Sequence, residues 1–161
     1  MTPPSPGPTI VVGYDASPAA RAAVDVAIDR AKPDGRLILV HTYLVPAGYI
    51  GASYYNPMLE DASQYAATLL DELERDCGRL AEVEFERDIT LGSAAVAITR
   101  AAVAFEADEI VIGSRGVGRV RALLGSVAHD VIHRAECPVI VIPERMVELQ
   151  AKTPAAAAGA V

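Results

Sequence analysis

Short apolar runs alternate along this chain with longer segments whose apolar residues recur at helical spacing. Four of the runs are apolar throughout and indicate strands buried on both faces. A fifth run alternates acidic and apolar residues, which is typical of an edge strand with one face in water. The five predicted strands are Ile10–Gly13, Leu37–Val40, Glu82–Ile89, Ile110–Ile112 and Pro138–Pro143.

Helical segments separate these strands. Ser17 and Pro18 suit the N-cap and the first position of a helix, and an apolar stripe follows at Val24, Ala27 and Ile28. Further stripes predict helices within 66–80, 92–105 and 124–132. The alternation predicts an α/β domain with a five-stranded parallel sheet and helices on both faces. Such sheets bind ligands beyond the carboxyl ends of their strands, where the strand order reverses.

A glycine-rich loop follows the fourth predicted strand. Gly113, Gly116 and Gly118 leave the backbone open to close approach by an anion, and Arg115 and Arg119 add positive charge. The next helix begins after this loop. A helix N-terminus offers unpaired N–H groups and about half a positive charge. The loop is therefore predicted to hold the phosphates of a small ligand.

Composition limits the classes of function. The 161 residues carry a formal net charge of −7, which argues against a nucleic-acid or membrane-surface binder. No apolar run approaches the ~18 residues that span a membrane. The two cysteines, Cys77 and Cys137, are far apart and lack the spacing of a zinc site. We expect a cytoplasmic protein with no metal site and no catalytic residue.

One folded domain is expected, over residues 9–145. Residues 1–8 hold four prolines and a glycine, which predicts a flexible lead-in. Residues 146–161 are rich in alanine and are predicted to fray.

Several known phosphate sites do not fit the chain. It contains no GxxxxGK[ST] sequence, which excludes a P-loop. The turn after the first strand runs from Gly13 to Pro18 with one glycine and the carboxylate of Asp15. A dinucleotide-binding turn would have GxGxxG there, and a carboxylate repels phosphate. What remains is a nucleotide with its phosphates at the fourth loop and its nucleoside near the first two strands.

This placement assigns roles to particular groups. The Asp15 carboxylate suits ribose hydroxyls, because it accepts their hydrogen bonds well. The backbone at Thr42 can contact an adenine edge, and the N–H groups of Gly116, Ser126 and Val127 can bind phosphate oxygens. Each charge-assisted bond of this kind contributes about 1.5–3 kcal/mol.

At this point the chain resembles the universal stress protein family over nearly all of the domain. The resemblance implies a five-stranded sheet in the order 3-2-1-4-5, of the adenine nucleotide alpha hydrolase-like kind. It also implies a homodimer through the fifth strand, at Val139 and Val141. The matching pieces are Ile10–Ser17, Leu39–Thr42, Gly113–Gly116, Gly125–Val127 and Cys137–Val141.

The nucleotide-binding branch of that family binds ATP through a G-x2-G-x9-G-[ST] sequence. The resemblance implies ATP as ligand, with ADP, AMP or cyclic AMP as alternatives and Mg²⁺ as a companion ion. It places Asp15 at the ribose, Thr42 at the adenine, Gly113 near the ribose and the later glycines at the phosphates. The full predicted set is Gly13, Tyr14, Asp15, Thr42, Ile112, Gly113, Arg115, Gly116, Arg119, Gly125, Ser126 and Val127.

One departure keeps the function open. Eight residues separate Gly116 from Gly125, where the family sequence has nine. Three functions are consistent with this loop: a nucleotide-binding stress sensor or regulator with an unnamed protein partner, a slow ATPase or autokinase, and an interaction module without nucleotide.

The three histidines are predicted to have structural or solvent-exposed positions. His41 ends a buried strand and is expected to be a hydrogen-bonded core histidine. His129 and His133 are spaced i, i+4 on the fourth helix. That spacing suits a metal, but no carboxylate partner is evident in the sequence, so we expect a solvated helix face.

Overall fold

The computed structural model describes residues 7–45, 52–114 and 124–144. The strands are β1 (Thr9–Gly13), β2 (Arg36–Tyr43), β3 (Glu84–Leu91), β4 (Glu109–Gly113) and β5 (Val139–Ile142). The helices are α1 (Pro18–Ala31), α2 (Ala52–Asp76), α3 (Ala94–Ala104) and α4 (Ser126–Arg134), and a 3₁₀ turn spans Gly78–Glu82. The alternation of strands and helices that the sequence predicts is confirmed.

The strands form one parallel sheet in the order β3-β2-β1-β4-β5. This is the predicted order. Val11 of β1 lies between Ile38 of β2 and Ile110 of β4 in the register. From β1 the chain adds β2 and then β3 on one side, and it then crosses to add β4 and β5 on the other side of β1. The strand order therefore reverses between β1 and β4. A crevice is therefore expected at the carboxyl ends of these two strands.

Helices cover both faces of the sheet, and each face has its own apolar core. Ile10 and Val12 pack with α1 and α2, whereas Val11 between them packs with α3 and α4. All three side chains are fully buried. Burial of one such side chain contributes about 1.5–3 kcal/mol. The double coverage explains why the central strands lack polar alternation.

The third strand begins later than predicted. Glu82 belongs to the 3₁₀ turn, and strand pairing starts at Glu84. The Arg79 guanidinium donates to Asp25 at 3.1 Å and to Asp29, both on α1, and Leu80 is buried. These contacts hold the turn against α1, so the chain enters the sheet two residues later than its alternating pattern indicates.

Sheet hydrogen bonding begins slightly before β1. The Gly7 N–H donates to the Asp34 carbonyl at 3.1 Å, and the Arg36 N–H donates to the Pro8 carbonyl at 2.9 Å. Residues 1–6 and 145–161 lie outside the described residues, so the domain limits at 9 and 145 stay predictions. Within the described ranges, no helix has the length and apolar character needed to cross a membrane.

Candidate functional site

The three segments that the sequence analysis predicts to form a site meet at the carboxyl edge of the sheet. They follow or end β1, β2 and β4. Gly13, the last residue of β1, pairs with Val40 of β2 and with Ile112 of β4. The next N–H, that of Tyr14, donates to the Val40 carbonyl at 2.9 Å. β2 continues beyond this level to Tyr43. The end of β2, including Thr42, therefore borders the expected crevice on one side, and the start of the glycine loop borders it on the other.

The turn from β1 to α1 holds the Asp15 carboxylate in a defined position. Asp15 Oδ1 accepts a hydrogen bond from the Ser17 N–H at 3.0 Å, and the Ser17 hydroxyl caps α1 by accepting from the Ala20 N–H at 3.2 Å. Ala16 between them has a φ of 62°. A left-handed residue other than glycine costs about 1–2 kcal/mol. A carboxylate has several acceptor positions, so Asp15 can accept further bonds while it holds the turn.

Ala16 is a feature that the sequence did not reveal. Alanine rarely adopts positive φ, and no glycine or asparagine marks the position. Residues held in this conformation concentrate at functional sites, where the surrounding structure imposes it. Here the adjoining hydrogen bond from Ser17 to Asp15 provides that constraint.

Two predicted contact residues turn their side chains into the cores. Tyr14 is 3% exposed and packs with the α1 and α2 core, and Ile112 is 3% exposed and packs with the α3 and α4 core. The backbone of Tyr14 is also engaged, because its carbonyl accepts from His41 Nδ1 at 2.7 Å. His41 is thus hydrogen-bonded, as predicted, but it is half-buried rather than in the core, and β2 continues to Tyr43. Roles for Tyr14 and Ile112 at a ligand stay predictions.

The Tyr14 hydroxyl leads to a test of stability. This buried oxygen has no hydrogen-bond partner in the part of the chain that the structure describes. An unsatisfied buried polar group costs about 1–3 kcal/mol, so we expect Tyr14→Phe to raise the free energy of unfolding by about 1 kcal/mol. Urea unfolding at neutral pH measures this, and a loss of stability would contradict the absence of a partner.

Tyr14→Phe will also change how the stability of the fold depends on alkaline pH. Burial raises the pKa of the Tyr14 phenol above its ordinary value of 10.0. The folded chain therefore retains this proton more firmly than the unfolded chain. The stability that this difference in pKa provides is fully present below pH 10.0. It is lost as the pH rises through the higher pKa of the phenol in the folded state. Tyr14→Phe should lose less stability than the wild type above that pH.

Gly13 and Gly113 have packing reasons to be glycine. A Cβ on Gly113 would lie 2.9 Å from the Ala19 Cβ and 3.0 Å from the Ala20 N, both in the first turn of α1. A Cβ on Gly13 would lie 2.6 Å from Ile98 Cδ1 on α3. Helices thus approach the strand ends closely from both faces. These two glycines do not require a ligand to explain them.

The glycine loop is closed at its base. The Ser114 N–H donates to the Ile142 carbonyl, and the Gly125 N–H donates to the Ser114 carbonyl, each at 2.8 Å. Residues 115–123 lie outside the described residues, and with them the predicted contacts Arg115, Gly116 and Arg119. Ser114, which sequence reasoning did not single out, holds both ends of the loop beside β5.

The N-terminus of α4 has no capping side chain. Its N-cap is Gly125, which makes no side-chain hydrogen bond to the first turn. The first intrahelical donor is the His129 N–H, which donates to the Gly125 carbonyl at 2.9 Å. The preceding N–H groups, including those of Ser126 and Val127, have no intrahelical acceptor. Ser126 is the first helical residue and not the N-cap. It can therefore offer a ligand its backbone N–H, whereas its hydroxyl does not cap the helix.

The carboxyl edge of the sheet therefore carries the Asp15 carboxylate just after β1 and the first-turn amides of α4 after β4. This pairing suits a ligand with hydroxyl groups at one end and an anion at the other. In the described ranges no three side chains of His, Cys, Asp or Glu cluster closely enough to hold a metal.

Sequence comparison identifies relatives of the chain. Residues 8–143 match the sequence model of the Universal stress protein family. A universal stress protein of Thermus aquaticus is 36% identical over 137 residues, which cover 83% of this chain and 97% of the relative. One from Mycobacterium tuberculosis is 34% identical over 143 residues, covering 86% of this chain. This chain spans 49% of that mycobacterial protein.

Solved structures share the fold. A universal stress protein from Lactobacillus plantarum has a TM-score of 0.72 at 24% identity, covering 84% of this chain and 97% of its own. A universal stress protein in complex with cAMP has a TM-score of 0.63 at 26% identity, covering 86% and 98%. An Arabidopsis thaliana family protein with AMP bound has a TM-score of 0.61 at 22% identity, covering 92% and 97%.

Proposed function

The chain belongs to the universal stress protein family, and we propose that it binds an adenine nucleotide in the crevice at the carboxyl ends of β1, β2 and β4. The observation that carries the proposal is the position of Asp15 and of the uncapped N-terminus of α4 around the strand-order reversal. The cAMP and AMP complexes of similar proteins support adenine nucleotides as the ligand class.

Each part of the nucleotide has a proposed partner. Asp15 accepts hydrogen bonds from the ribose hydroxyls, the backbone at Thr42 contacts the adenine, and Gly113 lies near the ribose. The phosphates bind the amides of Gly125, Ser126 and Val127, where the helix dipole favours negative charge. Gly13, Tyr14, Ile112, Arg115, Gly116 and Arg119 complete the proposed set. We propose ATP as the ligand, with ADP, AMP or cyclic AMP as alternatives and with Mg²⁺ able to accompany the phosphates.

We further propose that the protein acts as a cytoplasmic stress-response regulator whose nucleotide controls its choice of partner. Cys77 and Cys137 are free thiols, which suits a reducing compartment. A homodimer through β5 is part of the proposal, since β5 is an edge of the sheet and Val139 and Val141 are only partly buried. A symmetric contact at this edge would cover both.

Calorimetric titration of the purified full chain tests the proposal. Adenosine, AMP, ADP, ATP and cyclic AMP are compared, with GTP as a control for the base. We expect adenosine to bind, phosphates to add affinity, and GTP to bind more weakly than ATP. The shortened loop between Gly116 and Gly125 favours a second candidate, an interaction module with an empty crevice. The absence of heat with every adenine ligand would favour that module.

Replacing Asp15 tests the ribose contact. Asparagine can still accept the Ser17 N–H and so maintain the turn, but it lacks the negative charge. We expect Asp15→Asn to weaken adenosine binding about tenfold, since a charge-assisted bond exceeds a neutral one by about 1.4 kcal/mol. Adenosine is used as the ligand because it has no phosphate group. The affinity for a phosphate would itself change when the negative charge of Asp15 is removed. Equal affinity for adenosine in both proteins would remove Asp15 from the ribose site.

A further inference from the structure

The exposed side of α4 carries a pair of histidines in contact. His129 and His133 are one helical turn apart, and their ring centroids are 4.5 Å apart with an angle of 56° between the ring planes. Both side chains are exposed. Ala128 and Val131 bury the opposite side of the helix in the core. The packing of α4 therefore fixes both imidazoles on one solvent-facing surface.

A carboxylate accompanies the first imidazole. Asp130 Oδ1 lies 3.4 Å from His129 Nδ1. An acceptor beside Nδ1 favours the tautomer in which Nδ1 carries the proton and the Nε2 lone pair is free. Histidines that bind metals commonly have this arrangement, because the carboxylate orients the ring. Asp130 directly follows His129 in the sequence, and the structure shows that its carboxylate lies beside the ring.

We propose that His129 and His133 together chelate one divalent ion of Cu²⁺, Ni²⁺ or Zn²⁺, with water in the remaining coordination positions. Imidazole nitrogen suits these ions, whereas Mg²⁺ prefers oxygen. Two histidines at i, i+4 are the spacing by which a single helix supplies two zinc ligands. The net charge of −7 favours cations generally. The proposal departs from the solvated face that the sequence led us to expect, and it does not depend on nucleotide binding.

Metal titration without nucleotide tests the chelate. The full chain, free of any affinity tag, is titrated with Cu²⁺, Ni²⁺, Zn²⁺ and Mg²⁺ by calorimetry, and the Cu²⁺ complex is examined by electron paramagnetic resonance. We expect one ion per chain, two nitrogen ligands in the Cu²⁺ spectrum, and no heat with Mg²⁺. His129→Gln and His133→Gln should each weaken binding at least about tenfold, since each removes one of two ligands.

Two controls keep the result specific. Arg134→Gln changes an exposed neighbour on the same helix and should leave the affinity unchanged. The double variant His129→Gln/His133→Gln retains His41, whose Nδ1 is bonded to the Tyr14 carbonyl. Both exchanged side chains are exposed, so circular dichroism should show an intact fold. Undiminished affinity in the double variant, or no binding by the wild type, would overturn the proposal.

Discussion

We expect Gly125→Asp to weaken the proposed ATP binding by at least about 100-fold while leaving the domain folded. Gly125 is the N-cap of α4, with φ −63° and ψ 153°. This conformation is open to any residue and is the one that a capping side chain needs. Aspartate can therefore replace glycine without backbone strain. Its carboxylate would accept the hydrogen bonds of the first-turn amides and occupy the position proposed for phosphate.

The expected magnitude follows from electrostatics. Two unit charges 4 Å apart repel by about 4 kcal/mol at an effective dielectric constant of 20, and about 2.8 kcal/mol already corresponds to 100-fold. The free energy of unfolding should rise at the same time, by about 0.3–1 kcal/mol, because an acidic group at a helix N-terminus is favourable. Affinity and stability thus change in opposite directions, which a partly unfolded variant could not produce.

Gly125→Asn is the matched control. It also caps the helix, but it carries no charge, so its loss of ATP affinity should fall between those of the wild type and Gly125→Asp. Adenosine has no phosphate and should bind all three proteins with similar affinity. Calorimetry gives the affinities and urea unfolding gives the stabilities. Wild-type ATP affinity in Gly125→Asp would show that the N-terminus of α4 does not hold the phosphates.

The second large effect concerns stability. Gly113→Ala should lower the free energy of unfolding by about 2 kcal/mol, within the range observed for overpacked cores. The new methyl group would meet the Ala19 Cβ at 2.9 Å and the backbone atoms Ala19 C and Ala20 N at 3.0 Å. Backbone atoms in the first turn of α1 cannot rotate away. For a domain of this size the melting temperature should fall by about 4–8 °C.

Gly13→Ala is an informative comparison because its contact is shorter but softer. Its methyl group would lie 2.6 Å from Ile98 Cδ1, the end of a side chain that can change rotamer. We expect a loss of about 1 kcal/mol or less. Thermal unfolding of both variants measures the difference. A larger loss for Gly13→Ala would mean that distance, rather than the freedom of the neighbour, decides the cost.

A double-mutant cycle separates the α1 contact from general effects of alanine. Ala19→Gly removes the nearest atom that the new methyl group would meet. It should therefore restore part of the stability in the Gly113→Ala background, although alone it destabilises, since glycine costs about 0.5–1 kcal/mol in a helix. Additive losses would contradict a direct clash between positions 19 and 113.

Local features made the order of elements predictable. The types of the neighbouring residues Ser17 and Pro18 predict the start of α1, and the structure has Ser17 as the N-cap, as predicted. The sheet order came from the resemblance to a family, since apolar periodicity does not say which strands are neighbours. The start of β3 was predicted two residues early. Its position depends on ion pairs of Arg79 with Asp25 and Asp29, which are distant in sequence.

The candidate site was likewise predictable only in part. Asp15 and the glycine loop could be proposed because the types of residue and their places after apolar strands indicate the chemistry. The directions of Tyr14 and Ile112 could not be inferred. Strands covered on both faces carry apolar residues throughout, so the pattern does not distinguish the face toward α1 from the face toward α3.

The amino-acid order alone established the α/β alternation, the edge at which a ligand would enter and the residue types available there, because these depend on local spacing and chemistry. Only the packed molecule showed that a side chain at Gly113 would clash with α1, that Ala16 adopts positive φ and that the Asp130 carboxylate lies beside the His129 ring. Such features arise from distances between atoms rather than from residue types. Gly113 contacts Ala19 because a parallel sheet brings the end of β4 beneath the start of α1, far away along the chain.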